Sequence, residues 1–317
     1  MSTTRNTIDR QSAPIGVIIM AYGTPAGPEQ IEAYYTHIRH GRKPTPEQLA
    51  ELQHRYQAIG GVSPLTKHTR DQIDGIQAAL DASSPGRFRT ILGMKHTTPF
   101  IEESAQALAQ SGIQRIIGLV LAPHYSSMSV GEYMQRARSA IPATIPFSAI
   151  EHWHLAPGYL AYLKDQVLQV KTRLLHETGI PEDKLEVIFT AHSLPTRILQ
   201  MGDPYPTQLQ ETAQAVAESA NLQHWSVAWQ SAGRTAEPWI GPSILEVLKG
   251  LPSRGVESVV VCPAGFVSDH LEVLYDLDIE ACQFAGSLGL AFARTALPNA
   301  DQRCVSTLAG VICEHLE

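Results

Sequence analysis

A histidine follows an apolar run that has the properties of a buried strand. The run Val187–Ala191 is short, apolar and rich in β-branched residues, which predicts a strand inside a sheet. Pro195 must end that strand, because proline lacks the backbone N–H that a sheet requires. His192 therefore lies at the carboxyl end of the strand, where α/β sheets bind ligands. Its imidazole could accept a proton or donate a lone pair near neutral pH, or simply bond a nearby loop carbonyl.

Three carboxylates recur at intervals of four residues further along the chain: Glu272, Asp276 and Glu280. On a helix this spacing puts them on one face, where like charges repel by about 0.2–0.5 kcal/mol per pair. The row therefore favours a compensating cation or shared protons. A capping box, with Asp269 as the N-cap and Glu272 three residues later, explains part of the same pattern.

Basic residues are concentrated in one early segment, which contains Arg39, Arg42 and Lys43, and Arg55 follows it. Because a guanidinium binds a carboxylate through two parallel hydrogen bonds, these arginines could hold an acidic ligand. For Arg42 and Lys43 we favour the alternative, an ordinary charged surface.

Four further histidines were considered as site residues. His96 and His124 each follow a predicted strand and are expected to face the same cleft as His192. His152 and His154 alternate along one predicted strand face, as a metal-binding pair would. No third ligand accompanies them, so we interpret them as structural or surface residues.

Composition and missing motifs exclude several classes of function. The chain has 317 residues and a net charge of -7 with no long basic run, which argues against nucleic acid as a partner. The four cysteines form no C-x-x-C pair, which favours a reducing cytosol over a disulfide framework or zinc knuckle. There is no G-x-G-x-x-G, Walker loop or G-x-S-x-G, so no nucleotide is expected and Ser193 is not a hydrolase nucleophile. The polar N-terminus lacks a signal peptide, and no apolar run approaches the ~20 residues of a membrane span.

The elements that position these residues are repeated in the two halves of the sequence. Strand-like and helix-like runs alternate, which predicts an α/β fold with parallel sheets flanked by helices. Three short repeats occur in the same order in both halves. They pair Gly16–Pro25 with Glu186–Pro195, Pro99–Ser104 with Pro238–Ser243, and Gly118–Pro123 with Val259–Pro263. The first pair aligns Tyr22 with His192, so we expect two similar halves with the active-site cleft between them. The predicted division is a flexible tail at 1–13, an N-terminal half at 14–155 and a C-terminal half at 156–317.

A set of motifs spanning about residues 15–300 resembles the ferrochelatase family. The set comprises M-A-Y-G-T-P, Y-Y-T-H-I-R-x-G-R-K-P, I-G-G-V-S-P-L, G-x-K-H, L-A-P-H-Y-S, T-A-H-S-L-P, G-D-P-Y-P, W-Q-S-A-G, P-W-I-G-P and F-V-S-D-H-L-E-V-L-Y-D. More narrowly, it is similar to the monomeric Gram-positive type that inserts iron into coproporphyrin III to give coproheme in haem biosynthesis. The resemblance implies a chelatase-like fold of two Rossmann-like halves.

The resemblance also assigns roles to residues of the predicted cleft. His192 matches the histidine proposed as proton acceptor or first metal ligand, and Glu272 matches its carboxylate partner across the cleft. Tyr22 matches the residue on the opposite porphyrin face that can ligate product iron. Asp276 and Glu280 would extend a hydrophilic row for protons or cations. Imidazole and carboxylate are reasonable transient donors for Fe²⁺, because they would not trap the metal as a thiolate site would.

Further positions match the substrate-binding residues of the coproporphyrin-type enzymes. Those that would hold propionates are Arg39, Arg55, Ser63 and Tyr133. Met128 lies where relatives often carry an aromatic residue, so ring stacking there is expected to differ. Cys304 and Cys313 do not reproduce the spacing of the [2Fe–2S] cluster found in some relatives, and no cluster is expected.

The resemblance implies a cytoplasmic monomer whose substrates are ferrous iron and a porphyrin, with a downstream haem-pathway enzyme as a partner. Three alternatives stay open at this point. They are a protoporphyrin IX ferrochelatase, a non-catalytic porphyrin or haem carrier, and a cobalt or nickel chelatase. A carrier would not need the His192 and Glu272 pair, and a cobalt or nickel chelatase is expected to use additional histidines where Glu272 stands.

Overall fold

The computed structural model describes residues 14–233 and 235–316, so the tail predicted at 1–13 lies outside the described residues. Eight strands form two parallel sheets of four. The strands are β1 Ile15–Ala21, β2 Phe88–Met94, β3 Ile116–Val120, β4 Phe147–Ile150, β5 Leu185–His192, β6 Trp225–Gln230, β7 Ser258–Cys262 and β8 Ala291–Arg294. The strand orders are β2-β1-β3-β4 and β6-β5-β7-β8, so the predicted two-half α/β fold is confirmed.

Helices connect and cover the strands of both sheets. They are α1 Ile31–Ile38, α2 Pro46–Ala58, α3 Leu65–Ser83, α4 Ile101–Gln110, α5 Val130–Ser139, α6 Pro157–Thr178, α7 Arg197–Gln200, α8 Tyr205–Ser219, α9 Ile244–Gly250, α10 Leu271–Tyr275, α11 Cys282–Ser287 and α12 Gln302–Glu314. A π-helical segment, Asp276–Ala281, joins α10 to α11. Across the described ranges, no helix is both long and apolar enough to cross a membrane.

The central strands read as unbroken apolar runs because both of their faces are buried. In β1, Val17 and Ile19 pack into a core shared by the two halves, whereas Ile18 packs into a core of the first half. In β5, Phe189 enters the shared core and Ile188 enters a core of the second half. Successive side chains of a strand point to opposite faces, so a strand covered on both faces needs apolar residues at every position.

The structures of the two halves repeat one another, although one of the three sequence alignments proposed between them was wrong. Met94 N donates to Pro99 O at 2.8 Å, and Trp229 N donates to Pro242 O at 3.0 Å. Each of these contacts joins the end of the second strand of its half to the segment before the covering helix, α4 or α9. Pro99 therefore corresponds to Pro242, four residues beyond the Pro238 that the sequence comparison selected.

The sequence analysis did not predict two features of the second half. Strand β8 pairs with β7, but its four residues are only partly buried and give a weak pattern. The last helix, α12, packs its Val305 against Gly75 of α3, so the end of the chain contacts the first half. The division at 155/156 remains a prediction.

Candidate active site

His192 ends β5, where the sequence predicted it, and its backbone is fixed on both sides. It pairs with Gln230 of β6, and its carbonyl accepts a hydrogen bond from Tyr205 Oη at 2.9 Å. The ring Nδ1 lies 2.5 Å from Ser193 O, and because a carbonyl only accepts, Nδ1 must carry the proton. The other nitrogen, Nε2, is therefore the one available to exchange a proton or to bind a metal ion.

Glu272 on α10 is the group that faces this nitrogen. Its Oε1 lies 3.4 Å from His192 Nε2, and its Oε2 lies 3.6 Å from His270 Nε2. The prediction that His192 and Glu272 oppose each other across the cleft was wrong. Both belong to the second half, and at 3.4 Å no macrocycle fits between them. They can act on a flat ligand only from the same face.

The short distance couples the two protonation equilibria. Burial by itself lowers the pKa of His192, but the Glu272 charge and the hydrogen bonds to Glu272 and Ser193 outweigh it and raise this pKa to about 9. Burial likewise raises the pKa of Glu272, but His192 and His270 outweigh it and hold this pKa below its usual range. About a third of each side chain is exposed. At neutral pH the free protein therefore holds an imidazolium–carboxylate pair.

The capping-box explanation of Glu272 is excluded. His270 is the N-cap of α10 and makes no side-chain cap. The Asp269 carboxylate instead accepts hydrogen bonds from Arg294 Nη2 at 3.2 Å and Asn299 Nδ2 at 2.8 Å. Glu272 is thus free of a capping role and available to His192.

The carboxylate row continues, but its members differ in surroundings. Asp276 is 3% exposed and accepts a hydrogen bond from Arg55 Nη2 at 2.5 Å and another from Ser231 Oγ. Burial raises its pKa, and the Glu272 and Glu280 charges add to this, so the pKa reaches about 6 although Arg55 and Ser231 oppose the shift. Glu280 is exposed. The arginine predicted to hold a propionate therefore already has a carboxylate partner.

Tyr22 lies in the first half at the carboxyl end of β1, and its side chain is exposed. It is 41% exposed, and its ring centroid lies 4.5 Å from that of His96. Desolvation of the phenol by the surrounding protein raises the pKa of Tyr22, and the Glu272 charge adds to this shift. The aligned strand ends of the two halves therefore bring Tyr22 within the electrostatic reach of Glu272.

Of the remaining predicted substrate residues, Ser63 and Tyr133 are too buried to lie at an exposed edge of the cleft, whereas Arg39 is partly exposed. Ser63 is 5% exposed, and its Oγ accepts a hydrogen bond from Leu65 N at 3.3 Å. Tyr133 is also 5% exposed and lies under Lys95 Nζ, 5.1 Å from the ring centroid. Arg39, the C-cap of α1, is partly exposed, and its Nε donates to Arg42 O at 3.3 Å. Of these three, Arg39 is the side chain best placed to reach a carboxylate.

The predicted histidines occupy three different environments. His96 hydrogen-bonds His37 through the two Nδ1 atoms at 2.9 Å and lines a cavity of about 860 Å³ on one face of α1. His124 is buried and hydrogen-bonds Thr212 Oγ1 of α8 at 2.9 Å, so the expectation that it faces the cleft was wrong. His154 is buried against Glu211 at 2.8 Å.

Several neighbours of the pair were missed by the sequence reasoning. The ring centroid of Trp239 lies 6.3 Å from that of His192, and Gly233 approaches its indole so closely that a Cβ there would overlap Trp239 Cζ2. Met128, which the sequence analysis named, is not one of them, and its Sδ accepts a hydrogen bond from Arg197 Nε at 3.4 Å. Trp239 lies in the motif P-W-I-G-P, and His270 lies in the same motif as Glu272. Their positions inside these motifs could have identified them as site residues. In the described part of the chain, no three His, Cys, Asp or Glu side chains are grouped to hold a metal ion.

Comparison with solved structures defines the class of this fold. A sirohydrochlorin chelatase from Bacillus subtilis subspecies spizizenii, in complex with cobalt, superposes with a TM-score of 0.55 at 10% identity over 95% of this chain and 94% of that chain. CbiX, the terminal enzyme for sirohaem biosynthesis in denitrifying bacteria, gives a TM-score of 0.52 at 12% identity over 96% of this chain and all of that chain. The fold is that of the two-lobed chelatases.

The chain belongs to the ferrochelatase family of metal chelatases, because the family model named Ferrochelatase matches residues 14–316. The coproporphyrin III ferrochelatase of Anoxybacillus flavithermus is 43% identical over 306 residues, which cover 95% of this chain and 96% of that protein. The coproporphyrin III ferrochelatase of Halalkalibacterium halodurans is 44% identical, over 95% of this chain and 97% of that protein.

Proposed function

We propose that this protein inserts Fe²⁺ into coproporphyrin III, giving coproheme and releasing two protons, as a monomer in the cytoplasm. The observation that carries the proposal is the 3.4 Å contact between His192 Nε2 and Glu272 Oε1 at the carboxyl end of β5. Relatives of 43% and 44% identity named for this reaction support the choice of substrate.

The proposed chemistry begins with the proton already on His192. An imidazolium cannot accept a pyrrole proton, so Nε2 must first lose its own. Glu272 Oε1 is 3.4 Å away, and His270 lies 3.6 Å beyond the other carboxylate oxygen. In our proposal this proton passes along that path, and the neutral His192 then takes the first pyrrole proton. His192 passes this proton along the same path and takes the second, so both pyrrole protons leave through Glu272 as Fe²⁺ enters.

The two faces of the macrocycle have different partners in this proposal. His192 and Glu272 approach from the second half, and Tyr22 approaches from the first. An imidazole nitrogen, a carboxylate and a phenol oxygen are donors that Fe²⁺ accepts without the permanence of thiolate ligation. Asp276 and Glu280 would pass protons or cations onward, and Arg39 and Arg55 would hold propionates, Arg55 after leaving Asp276.

Anaerobic mixing of the purified protein with Fe²⁺ and coproporphyrin III tests the proposal. The free-porphyrin absorption bands should be replaced by those of the iron complex, faster than with protoporphyrin IX. Equal or greater rates with protoporphyrin IX would overturn the substrate assignment. A porphyrin that binds but keeps its free-base spectrum would favour the carrier. Insertion of Co²⁺ or Ni²⁺ in preference to Fe²⁺ would overturn the metal assignment.

A further inference from the structure

Gln230 lies at the point where the strand bearing His192 meets the helix bearing Glu272. It is the last residue of β6 and the direct register partner of His192. Its backbone carbonyl accepts a hydrogen bond from Ser193 N at 2.7 Å, so the parallel pairing continues past the end of the strand. The backbone pairing of Gln230 thus fixes the position at the end of β5 from which the His192 side chain extends.

The side chain of the same residue contacts the carboxylate helix. Gln230 Nε2 donates a hydrogen bond to the backbone carbonyl of Glu272 at 3.3 Å. Its Oε1 accepts a hydrogen bond from Thr190 Oγ1 at 2.8 Å, which orients the amide and identifies the nitrogen as the end that faces α10. The side chain is 3% exposed, so water does not compete freely for these bonds.

The bonded carbonyl lies where the helix changes its geometry. Glu272 O also accepts the backbone N–H of Asp276, the residue at which the α-helix gives way to the π-helical segment. A carbonyl oxygen has two lone pairs, so it can hold both donors. Helical hydrogen bonds alone fix α10 internally but leave its position against the sheet open. Gln230 supplies a bond that ties this turn to the strand of His192.

We propose that Gln230 is a positioning residue for insertion, setting the separation of His192 and Glu272 through its amide bond to Glu272 O. The inference rests on the function proposed above for that pair. Its physical reason is that proton and metal transfer depend steeply on sub-ångström placement, whereas a 3.4 Å gap between two elements is held by few bonds.

The variant Gln230→Met tests the proposal, because methionine keeps nearly the same volume but can neither donate nor accept as an amide does. We expect kcat for Fe²⁺ insertion into coproporphyrin III to fall about tenfold or more, while the Kd for coproporphyrin stays within about twofold. Thr190→Val is the matched variant, since it removes the hydroxyl but leaves Nε2 and Glu272 O in place. It should lose less activity than Gln230→Met.

Gln208→Met controls for the loss of a buried glutamine, because Gln208 Oε1 accepts from Tyr125 N rather than from a residue of the pair. Its melting temperature should fall at least as much as that of Gln230→Met, with kcat retained. Retained kcat in a folded Gln230→Met protein, or an equal loss of kcat in Gln208→Met, would overturn the proposal.

A double-mutant cycle with Glu272→Gln separates positioning from general disruption. If Gln230 acts through Glu272, adding Gln230→Met to Glu272→Gln should lower the single-turnover rate by no more than about twofold. Fully multiplicative effects would overturn the positioning role. A wild-type rate in Glu272→Gln itself would instead remove the proposed role of the pair, so the two failures are distinguishable.

Discussion

The two nitrogens of the His192 ring have different partners, and this asymmetry decides its chemistry. Nδ1 is occupied by Ser193 O of the next residue, which holds the ring in one tautomer and one orientation. Nε2 faces a carboxylate that favours the protonated ring. His192 is therefore protonated in the free protein, and it can accept a proton only after Nε2 has lost its own.

Replacing His192 with Ala removes the acceptor while leaving the walls of the cleft in place. We expect insertion to be abolished and coproporphyrin binding to be retained within a few-fold. Stopped-flow absorbance measures the first and fluorescence quenching the second. Glutamine at the exposed His152 is the control and should behave as wild type. Normal turnover in His192→Ala would contradict the assigned role.

The raised pKa of His192 gives the insertion rate a definite pH dependence. Since the neutral ring is required and the pKa is about 9, the rate should climb with pH, reach half of its maximum near that value and level off above it. Glu272→Gln removes the charge that raises this pKa, so its midpoint should shift to lower pH. The measurement is anaerobic kcat from pH 6 to 10. An unshifted midpoint would mean that another group controls the rate.

At the scale of elements, the π-helical segment that follows α10 gives the carboxylate row its contacts with other elements. A π-helical turn is rare and is frequently found at functional sites. Here the segment begins at Asp276, whose carboxylate accepts hydrogen bonds from Ser231, the residue that follows β6, and from Arg55 of α2. One residue therefore joins three elements drawn from both halves.

The packing of α12 on α3 provides a test at this scale. A methyl group at Gly75 would lie 2.9 Å from Val305 Cγ1, closer than packed carbons allow. Gly75→Ala should therefore destabilise by about 1–2 kcal/mol, although alanine favours helix. Val305→Ala opens space, so the double variant should be less destabilised than the sum by about 1 kcal/mol. Urea unfolding measures all three, and simple additivity would contradict this packing.

For the whole molecule, the two halves are joined by buried and part-buried polar contacts as well as by the shared core. Beyond β3, Tyr125 N donates to Gln208 Oε1 at 2.6 Å and Ser127 N donates to Asp203 Oδ2 at 2.8 Å. His124 hydrogen-bonds Thr212 in the same region at 2.9 Å. These contacts fix the first half against α8, which itself bonds the His192 carbonyl through Tyr205.

This interface should weaken in acid. Burial, with a contribution from His154, lowers the pKa of His124 to about 3. The folded state therefore prefers the neutral ring, and its stabilising contribution is complete above about pH 6.5 and lost as pH falls toward 3. Between pH 6.5 and 5 the cost is on the order of 2 kcal/mol. His124→Gln should flatten this loss in urea unfolding, whereas His152→Gln should not, and equal slopes would contradict the assignment.

How much the sequence could predict differs between the fold and the site. Strands β2 and β6 were predicted with the observed bounds, because their apolar runs are flanked by turn residues. The site residues His192 and Tyr22 were recognisable as strand-end positions for the same reason. The second repeat was misaligned by four residues, since Pro238 and Pro242 both lie near the start of α9 and composition cannot choose between them.

What the sequence determined by itself is the pair of parallel α/β halves, because strand and helix patterns depend on local periodicity and buried apolar runs. Only the tertiary structure decided that His192 and Glu272 lie on one face, that Arg55 already bonds Asp276, and that Gln230 ties α10 to β6. Those facts depend on contacts between residues 42 to 221 positions apart. Local pattern carries no information about such distances, which are fixed when the layers pack.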